Sequence, residues 1–305
     1  MNVIRSVKAN SQYPIQDSRL YKIAGKGQLE SLLNIRLEHI GRLLSPDNYR
    51  VWINENNREI QQPINWLGTV HKRIGDLLSR IETPEYVYSQ KGRSYVDNAR
   101  QHTGNVPLGK TDISKFYPST TRQMVWRMFT EDFKCAKDIA DILADICCYQ
   151  QKHLPTGSPL SGRIAFFAAR PMFDEIYETA KKTNNKMTLY VDDITLSGQG
   201  VTKTLMSDIR KTVRRHGLKT KNSKTKTFAA NSSKPITGTV VVGEEVRLPN
   251  PRHKKIWETR RALRNATGSE IKRLLKSLNG RLQEAKQVLN PTPQHKLIEE
   301  GGVDP

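Results

Sequence analysis

Two adjacent carboxylates, Asp192 and Asp193, stand between two apolar segments of the chain. Residues 187–191 read Met-Thr-Leu-Tyr-Val, and residues 194–198 read Ile-Thr-Leu-Ser-Gly. Both segments have the composition of β-strands, so the pair is predicted to lie at a tight hairpin turn. Asp is common in solvated β-turns, which leaves two interpretations open: an ordinary turn, or carboxylates directed at a shared cation. A third carboxylate on another strand and a polyanionic substrate would favour the cation.

Asp112 is the best candidate for the third carboxylate. It follows a short extended stretch, 106–111, and precedes Phe-Tyr-Pro-Ser at 116–119, where a strand is expected to end and a helix to begin. Taken alone, it could equally be a helix N-cap or a turn residue. An Asp at a strand end beside an Asp-Asp hairpin suits two Mg²⁺ ions, because Mg²⁺ binds carboxylate and phosphate oxygens. Such a pair of ions stabilises the attacking and leaving oxygens of phosphoryl transfer.

The charge distribution indicates a polyanionic partner. The 305 residues include 50 Lys and Arg against 30 Asp and Glu, a formal charge of +20. Residues 203–305 carry 23 basic and 9 acidic side chains, a net +14, whereas residues 1–202 carry a net +6. A basic run is commonly a solvated face, but this excess is large and is concentrated in the last third of the chain, beyond Asp193. We therefore expect the chain to bind nucleic acid.

Length, cysteine content and hydropathy restrict the class of protein. A chain of this length can form two or three subdomains around a large core. Its three cysteines, Cys135, Cys147 and Cys148, lack metal-ligand spacing and are expected to be buried thiols in a reducing compartment. No stretch approaches about 18 apolar residues, and residues 1–8 lack the apolar core of a signal peptide. We expect a cytoplasmic protein with no membrane partner.

The hydrophobic periodicity predicts an α+β fold. Helices are expected within 20–45, at 64–81, between Asp112 and Tyr149, and at 161–183, 202–216, 251–265 and 268–289. Strands are expected at 49–60 and 187–198, each folded as a hairpin, and around 225–228 and 236–242.

This order of elements suggests a right-hand polymerase with fingers, an antiparallel-sheet palm and a helical thumb. We assign residues 1–105 to N-terminal helices and fingers, and 106–235 to the palm, with an interleaved fingers segment at about 120–160. Residues 236–290 are assigned to a basic thumb that binds RNA or duplex, and 291–305 to a disordered tail.

Several motifs in this order are similar to those of the reverse transcriptases, which the chain resembles from about residue 49 to residue 286. Tyr-Val-Asp-Asp at 190–193 resembles the family's Tyr-x-Asp-Asp box, and Asp112 with 116–119 resembles its first catalytic strand. Arg-Glu-Ile-Gln-Gln-Pro at 58–63 is similar to the Arg-x-Ile-x-x-Pro motif of the fingers. Leu-Pro-Thr-Gly at 154–157 is similar to a Leu-Pro-Gln-Gly element, and 217–225 to the Lys-Thr motif after the palm. Together these matches are highly specific, although each alone would be weak.

Two further matches resemble the bacterial retron reverse transcriptases in particular. Asn98 and His102 fit an Asn-Ala-x-x-His signature, and Thr237 and Gly238 follow an Ile in a Val-Thr-Gly-like signature. The chain also departs from the family pattern, with differences that concern the nucleotide pocket and spare the metal ligands. They are Thr156 in place of Gln, Gly162 in place of Pro, Phe166 in place of Asn and Lys221 in place of Asn.

The resemblance implies a DNA polymerase that uses two Mg²⁺ ions. Asp112, Asp192 and the backbone carbonyl of Ile113 would hold Mg²⁺ on the triphosphate. Asp112 and Asp192 would share the second ion, and Asp193 would support both electrostatically. Arg58, Tyr117, Thr156, Gly157 and Lys224 would bind the nucleotide. Arg58 could instead be a surface residue, Tyr117 a core aromatic and Lys224 a simple phosphate contact, with Lys226 as its rival.

RNA binding is implied for the two signatures and for the basic helices after them. Asn98 and His102 would orient a loop or contact RNA. Trp257 could stack on an unpaired base, although a Trp is more commonly part of a core. The complete set is Asn98, His102, Thr237, Gly238, Arg252, Lys254, Lys255, Trp257, Arg260, Arg261, Arg264, Lys272 and Arg273.

For function, the resemblance implies an enzyme that uses dNTPs to copy part of its own structured non-coding RNA into branched single-stranded DNA. Synthesis would start from a guanosine 2′-hydroxyl, and a separate effector protein would act with the enzyme in anti-phage defence. Two alternatives stay open: another bacterial defence or group II intron-related reverse transcriptase, and a non-catalytic RNA-binding scaffold.

Overall fold

The computed structural model describes residues 12–289, so residues 1–8 and the predicted tail at 291–305 lie outside the described residues. The α-helices are α1 (Lys26–Leu33), α2 (Ile40–Leu43), α3 (Asn65–Ser79), α4 (Tyr95–Arg100), α5 (Phe116–Ser119), α6 (Arg122–Arg127), α7 (Lys137–Cys147), α8 (Ser161–Lys182), α9 (Lys203–Arg215), α10 (Asn250–Arg264) and α11 (Ser269–Leu289). The strands are β1 (Tyr49–Ile53), β2 (Glu59–Pro63), β3 (Leu108–Asp112), β4 (Lys186–Tyr190), β5 (Asp193–Ser197), β6 (Lys226–Phe228), β7 (Lys234–Ile236), β8 (Thr239–Val242) and β9 (Glu245–Arg247).

Local sequence accounts for helices α3 and α4. In α3 the apolar residues recur at helical spacing, so that Leu67, Val70 and Ile74 are buried along one face. The start of α4 is a capping box: Ser94 accepts a hydrogen bond from the backbone of Asp97, whose side chain accepts one from the backbone of Ser94.

The strands form three separate sheets. β1 and β2 pair antiparallel as a hairpin, and a four-stranded sheet has the order β4-β5-β3-β6. β7, β8 and β9 form an antiparallel three-stranded sheet. In the region of this last sheet the sequence predicts only one strand, at 236–242, because strands of three residues are too short to show an alternating pattern; the predicted strand at 225–228 corresponds to β6. The mixture of helices and antiparallel sheets confirms the α+β class.

The chain divides into two compact units. Among the described residues, the first comprises 12–87, 112–179 and 207–222, and the second comprises 88–111, 180–206 and 223–289. The core of the first unit includes packed aromatic rings: those of Phe133 and Phe167 meet edge to face at 5.9 Å between centroids. The core of the second unit is aliphatic: Ala99, Leu108 and Val241 are completely buried together.

Within residues 12–289, no helix is long and apolar enough to cross a membrane.

Candidate functional site

The Asp-Asp pair lies at the hairpin that the sequence predicts. Tyr190 pairs with Asp193, so the loop between β4 and β5 consists of Val191 and Asp192 alone. Val191 has φ +59°, a left-handed conformation that is unfavourable for a β-branched residue and that glycine usually supplies in such turns. Its N–H donates to Oγ of Ser89 at 3.0 Å, which helps to hold this conformation. Strained backbone of this kind costs about 1–3 kcal/mol and occurs preferentially at functional sites.

A buried histidine joins the two strands of this hairpin. His102 has no exposed surface; its Nδ1 lies 2.7 Å from Oγ of Ser197 on β5, and its Nε2 lies 2.7 Å from Oγ1 of Thr188 on β4. Burial lowers the pKa of His102 to about 3, so the ring is neutral at pH 7. A side chain with no exposed surface cannot contact RNA. Of the two predicted roles for His102, orienting a loop or contacting RNA, complete burial disfavours the second. Its hydrogen bonds instead connect the two strands on either side of the Val191–Asp192 loop.

The two retron-like signatures contact each other. Asn98 is completely buried, and its Nδ2 donates to Oγ1 of Thr237 at 3.4 Å. The hydroxyl of Thr237 in turn donates to the backbone carbonyl of Tyr95 at 3.0 Å. Gly238 has φ +87°, and a Cβ there would lie 2.8 Å from Nη2 of Arg252. Asn98 is thus bonded to the Thr237–Gly238 turn, and its complete burial disfavours direct contact with RNA in the same way.

Asp112 is the last residue of β3, the strand between β5 and β6 in the sheet order. Its side chain is buried, and its backbone carbonyl accepts a hydrogen bond from the N–H of Lys221 at 2.9 Å. The N–H of Ser114 donates to the carbonyl of Lys219 at 2.7 Å. Because residues 112 and 114 bond to this neighbouring segment, the N–H and carbonyl of Ile113 between them point to the opposite side. The Ile113 carbonyl is thus directed away from residues 219–221.

The chemistry of the predicted metal ligands fits Mg²⁺. Among residues 12–289 there is no group of three or more His, Cys, Asp or Glu side chains that could hold a metal ion by themselves. The proposed ligands, the carboxylates of Asp112 and Asp192 and the carbonyl of Ile113, are all hard oxygen donors. Mg²⁺ is commonly bound through one or two carboxylates, with substrate phosphates and waters completing its shell. These residues therefore provide the type of ligand atom that Mg²⁺ prefers.

In the first unit, the fingers-like motif contacts the Leu-Pro-Thr-Gly turn. The N–H of Gln61 donates to the carbonyl of Thr156 at 2.7 Å, and the N–H of Thr156 donates to Oε1 of Gln61 at 2.7 Å. Gln61 is buried, and its Nε2 donates to Oε1 of Glu59 at 2.7 Å. Gly157 has φ +125°, and a Cβ there would lie 2.8 Å from Cγ2 of Ile60. The Leu-Pro-Thr-Gly turn is thus held against β2 by hydrogen bonds and close packing. Sequence analysis did not identify this role of Gln61, although the residue lies inside the Arg-x-Ile-x-x-Pro motif.

A second buried histidine supports the same turn. Nε2 of His71 lies 2.8 Å from the carbonyl of Ile146 and must donate to it, so Nδ1 accepts a hydrogen bond from the hydroxyl of Ser158 at 2.8 Å. Burial lowers the pKa of His71 to about 4. Sequence analysis missed His71, because it is one of several polar residues in an amphipathic helix and belongs to no motif.

The other predicted nucleotide-binding residues differ in their surroundings. Arg58 is exposed, and its backbone N–H donates to Oδ1 of Asn54 at the turn of the β1–β2 hairpin. Tyr117 is half-buried and its ring stacks on Phe116 with 6.0 Å between centroids. Lys224 and its rival Lys226 are both exposed, at the end of a single 3-10 turn and at the start of β6 respectively.

Most of the basic residues predicted to bind RNA are exposed on α10 and α11. Trp257 is 59% exposed, and the guanidinium of Arg261 lies over its ring at 5.6 Å. Arg252 is an exception, because it is ion-paired with Glu284 and donates to the hydroxyl of Tyr95 at 3.2 Å. The guanidinium of Arg252 therefore bonds to other residues of the protein. The remaining predicted residues are solvent-exposed: Lys254, Lys255, Arg260, Arg264, Lys272 and Arg273.

Comparisons with known proteins identify the same family as the sequence motifs. A family model described as reverse transcriptase (RNA-dependent DNA polymerase) matches residues 41–291. The retron Ec86 reverse transcriptase of Escherichia coli is 29% identical over 205 residues, which are 65% of this chain and 63% of that protein. The retron Ec48 reverse transcriptase of Escherichia coli is 30% identical over 169 residues, 54% of this chain and 41% of that protein. The retron Se72 reverse transcriptase of Salmonella heidelberg is 27% identical over 146 residues, 47% of this chain and 38% of that protein.

These alignments span less than two thirds of each relative. A solved structure of apo telomerase from Candida tropicalis, truncated from the C-terminal domain, aligns with a TM-score of 0.45 and 10% identity over 67% of this chain and 56% of that chain. The curated relatives confirm the predicted resemblance to retron reverse transcriptases. The family match covers most of the chain and confirms the α+β right-hand polymerase class. The chain belongs to the reverse transcriptase family.

Proposed function

We propose that this protein is a retron-type RNA-directed DNA polymerase. It copies part of a cognate structured non-coding RNA into branched single-stranded DNA, starting from a guanosine 2′-hydroxyl. The observation that carries the proposal is the strained hairpin of Val191 and Asp192, because such strain is typical of functional sites. The order of the sheet supports it further: β5, which begins at Asp193, is adjacent to β3, which ends at Asp112.

In the proposed mechanism, Asp112, Asp192 and the Ile113 carbonyl would hold two Mg²⁺ ions together with the nucleotide. Bound Mg²⁺ supplies positive charge that stabilises the attacking and leaving oxygens of phosphoryl transfer. Asp193 contributes negative charge that strengthens metal binding. The work of the chain is thus positioning and charge stabilisation rather than covalent chemistry.

Residues of the first unit and the Lys-Thr motif bind the nucleotide in this proposal. The exposed Arg58 forms a fork of hydrogen bonds to the phosphates. The half-buried Tyr117 lies under the sugar and excludes a 2′-hydroxyl. The Thr156–Gly157 turn positions the base pair, and Lys224, or Lys226 in its place, protonates the pyrophosphate.

The exposed basic face of α10 and α11 grips the RNA and the growing duplex. Stacking on Trp257 and contacts from Arg261 and its neighbours bind without requiring a particular sequence. Affinity should fall steeply as salt rises, because each phosphate contact releases counterions. We also propose a separate effector protein and a role in anti-phage defence. Both rest on the likeness to retron reverse transcriptases.

The test is Asp192→Asn in cells that express the protein with its adjacent upstream DNA. We expect the wild type to yield a covalent RNA–DNA species and the variant to yield about a thousandfold less, because a group that stabilises the transition state electrostatically is removed. Asp208→Asn is the matched control, since Asp208 is an exposed residue of α9 paired with Lys211 at 2.8 Å. It should leave the yield unchanged.

Three other outcomes would redirect the assignment. If purified wild-type protein extends a DNA primer on an RNA template but no branched species forms in cells, the chain is another bacterial reverse transcriptase. A wild-type protein with neither activity contradicts the polymerase proposal. If Asp192→Asn preserves in-cell function, the protein is a non-catalytic RNA-binding scaffold.

A further inference from the structure

A cavity of about 440 Å³ lies between α10 and α11 in the second unit. Its volume falls within the range of about 300–1,000 Å³ that is usual for small-ligand sites. Four basic side chains and one acidic side chain line it, so its walls carry a net positive charge. These walls differ from the rest of the basic surface, because they enclose a concave space rather than a flat helix face.

The positive charge of the cavity is not neutralised inside the protein. Arg252 and Glu284 form an ion pair and cancel each other at one side. The ammonium groups of Lys255 and Lys276 make no ion pair or hydrogen bond with any residue among 12–289. Arg281 donates from Nε to Oγ of Ser277 at 3.3 Å, which leaves the other guanidinium nitrogens for a ligand. Two lysines and one arginine thus surround the cavity as donors suited to an anion.

The cavity also has an apolar part. Leu248 and Ile256 line it and are almost completely buried, at 4% and 8% exposure. A free inorganic anion gains nothing from contact with an apolar surface. A nucleotide, by contrast, combines a phosphate with a flat, weakly polar base that can pack there. Structured RNA presents such nucleotides at bulges and loops, where unpaired bases can be splayed out of the helix.

We propose that this cavity binds one unpaired nucleotide of the RNA. Its phosphate lies among Lys255, Lys276 and Arg281, and its base packs against Leu248 and Ile256. This inference rests on the proposed function, since it takes RNA as the ligand. It adds a selective contact to the sequence-independent grip of the basic helices, through which the enzyme distinguishes a bulged RNA from a continuous duplex.

The experiment compares two labelled RNA hairpins that differ only by one bulged adenosine, using fluorescence anisotropy. We expect the wild type to bind the bulged hairpin about tenfold more tightly than the paired one, a ratio worth one strong charge-assisted contact. In Gly280→Met the ratio should fall to one while affinity for the paired hairpin is kept. A side chain added at Gly280 meets no atom within 4 Å of its Cβ, so it can extend into the cavity, and Met favours the helix over Gly.

Charge variants provide a second, independent arm. Lys276→Gln should also lower the ratio, whereas Lys272→Gln, on an exposed residue of α11 that does not line the cavity, should weaken both hairpins equally and keep the ratio. The proposal is rejected if the wild-type ratio is one, or if Gly280→Met leaves it unchanged. It is also rejected if inorganic phosphate competes with the bulged hairpin as well as AMP does, because the cavity would then be a simple anion site.

Failure of this inference can be told apart from failure of the proposed function. Primer extension on an unstructured RNA template does not need the cavity, so Gly280→Met should match the wild type in that assay. A wild type that discriminates between the hairpins but does not extend a primer would contradict the polymerase proposal alone.

Discussion

Two fully buried histidines, one in each unit, are bonded in different ways. His71 donates to a backbone carbonyl, that of Ile146, which lies in the last turn of α7 and has no partner within its helix. His102 meets two hydroxyls, on Thr188 and Ser197, and each hydroxyl can either donate or accept. The tautomer of His71 is therefore determined by its partners, whereas His102 can adopt either tautomer.

The difference separates two roles. His71 satisfies a fixed polar group that the end of a helix leaves open, which is chiefly a contribution to stability. The partners of His102 are side chains on the two strands that carry Asp192 and Asp193, so His102 sets the relative position of those strands. We infer that the histidine of the first unit matters more for folding and the histidine of the second unit matters more for catalysis.

Replacing each histidine by alanine is the strongest way to break this comparison. His71→Ala should lower the free energy of unfolding by about 3–5 kcal/mol, because it opens a cavity and leaves the Ile146 carbonyl buried without a donor. His102→Ala should cost less, about 2–3 kcal/mol, because the two hydroxyls can rotate toward other partners. Primer extension below the unfolding temperature should be reduced more by His102→Ala. Urea denaturation and kcat measure the two effects.

His216→Ala provides the control for both variants. His216 is part-exposed and lies 2.9 Å from Glu175, a surface ion pair of the kind that contributes less than about 1 kcal/mol. If His71→Ala and His102→Ala reduce stability and kcat in the same proportion, the two histidines have one common role and the comparison fails.

The sequence predicted the elements of the site better than the contacts between them. The spacing of apolar residues predicted the helix at 202–216, which the structure has as Lys203–Arg215, and the strand-like composition of the flanking segments predicted the Asp-Asp hairpin. The sequence left the role of His102 open between orienting a loop and contacting RNA, because its partners lie 86 and 95 residues away and no local pattern reports such distances. Motif matching identifies residues that belong together, but only the packed structure shows whether a polar side chain faces solvent or another side chain.

The pH dependence of stability should sharpen the comparison further. Burial lowers the pKa of His71 to about 4 and that of His102 to about 3, from an ordinary value of about 6.5. Below pH 6.5 the unfolded chain therefore binds protons that the folded chain does not, so stability is lost as the pH falls. Each histidine should contribute a loss of about 1.4 kcal/mol per pH unit in this range.

Urea denaturation of His71→Gln and His102→Gln between pH 7 and pH 5 separates the two contributions. Over this range each variant should lose about 2 kcal/mol less stability than the wild type, because the full slope of about 1.4 kcal/mol per pH unit is reached only well below pH 6.5. A variant whose pH dependence equals that of the wild type would show that its histidine is already protonated, or is solvated, in the folded protein.

The smallest effect on catalysis should come from Gln61. This residue is the other side chain, besides His71, that holds the Leu-Pro-Thr-Gly turn. Gln61→Met keeps the size of the side chain but removes the acceptor for the Thr156 N–H, while the backbone bond from Gln61 to Thr156 remains. Loss of this one hydrogen bond loosens the turn by about 1–2 kcal/mol, so KM for the dNTP should rise roughly 5- to 30-fold. The Asp-Asp hairpin is not touched, so kcat should change little.

Gln62→Met is the matched control, because Gln62 has the same side chain on the same strand but is exposed. Steady-state kinetics of primer extension should leave its KM and kcat at wild-type values. Gln61→Glu adds a finer test, since it retains the acceptor for Thr156 but loses the donor to Glu59 and places two carboxylates together. If KM in Gln61→Glu stays near the wild-type value, the bond to Thr156 positions the turn. If it rises as in Gln61→Met, the bond to Glu59 is needed as well, and the turn of the first unit depends on a side-chain network as the hairpin of the second unit does.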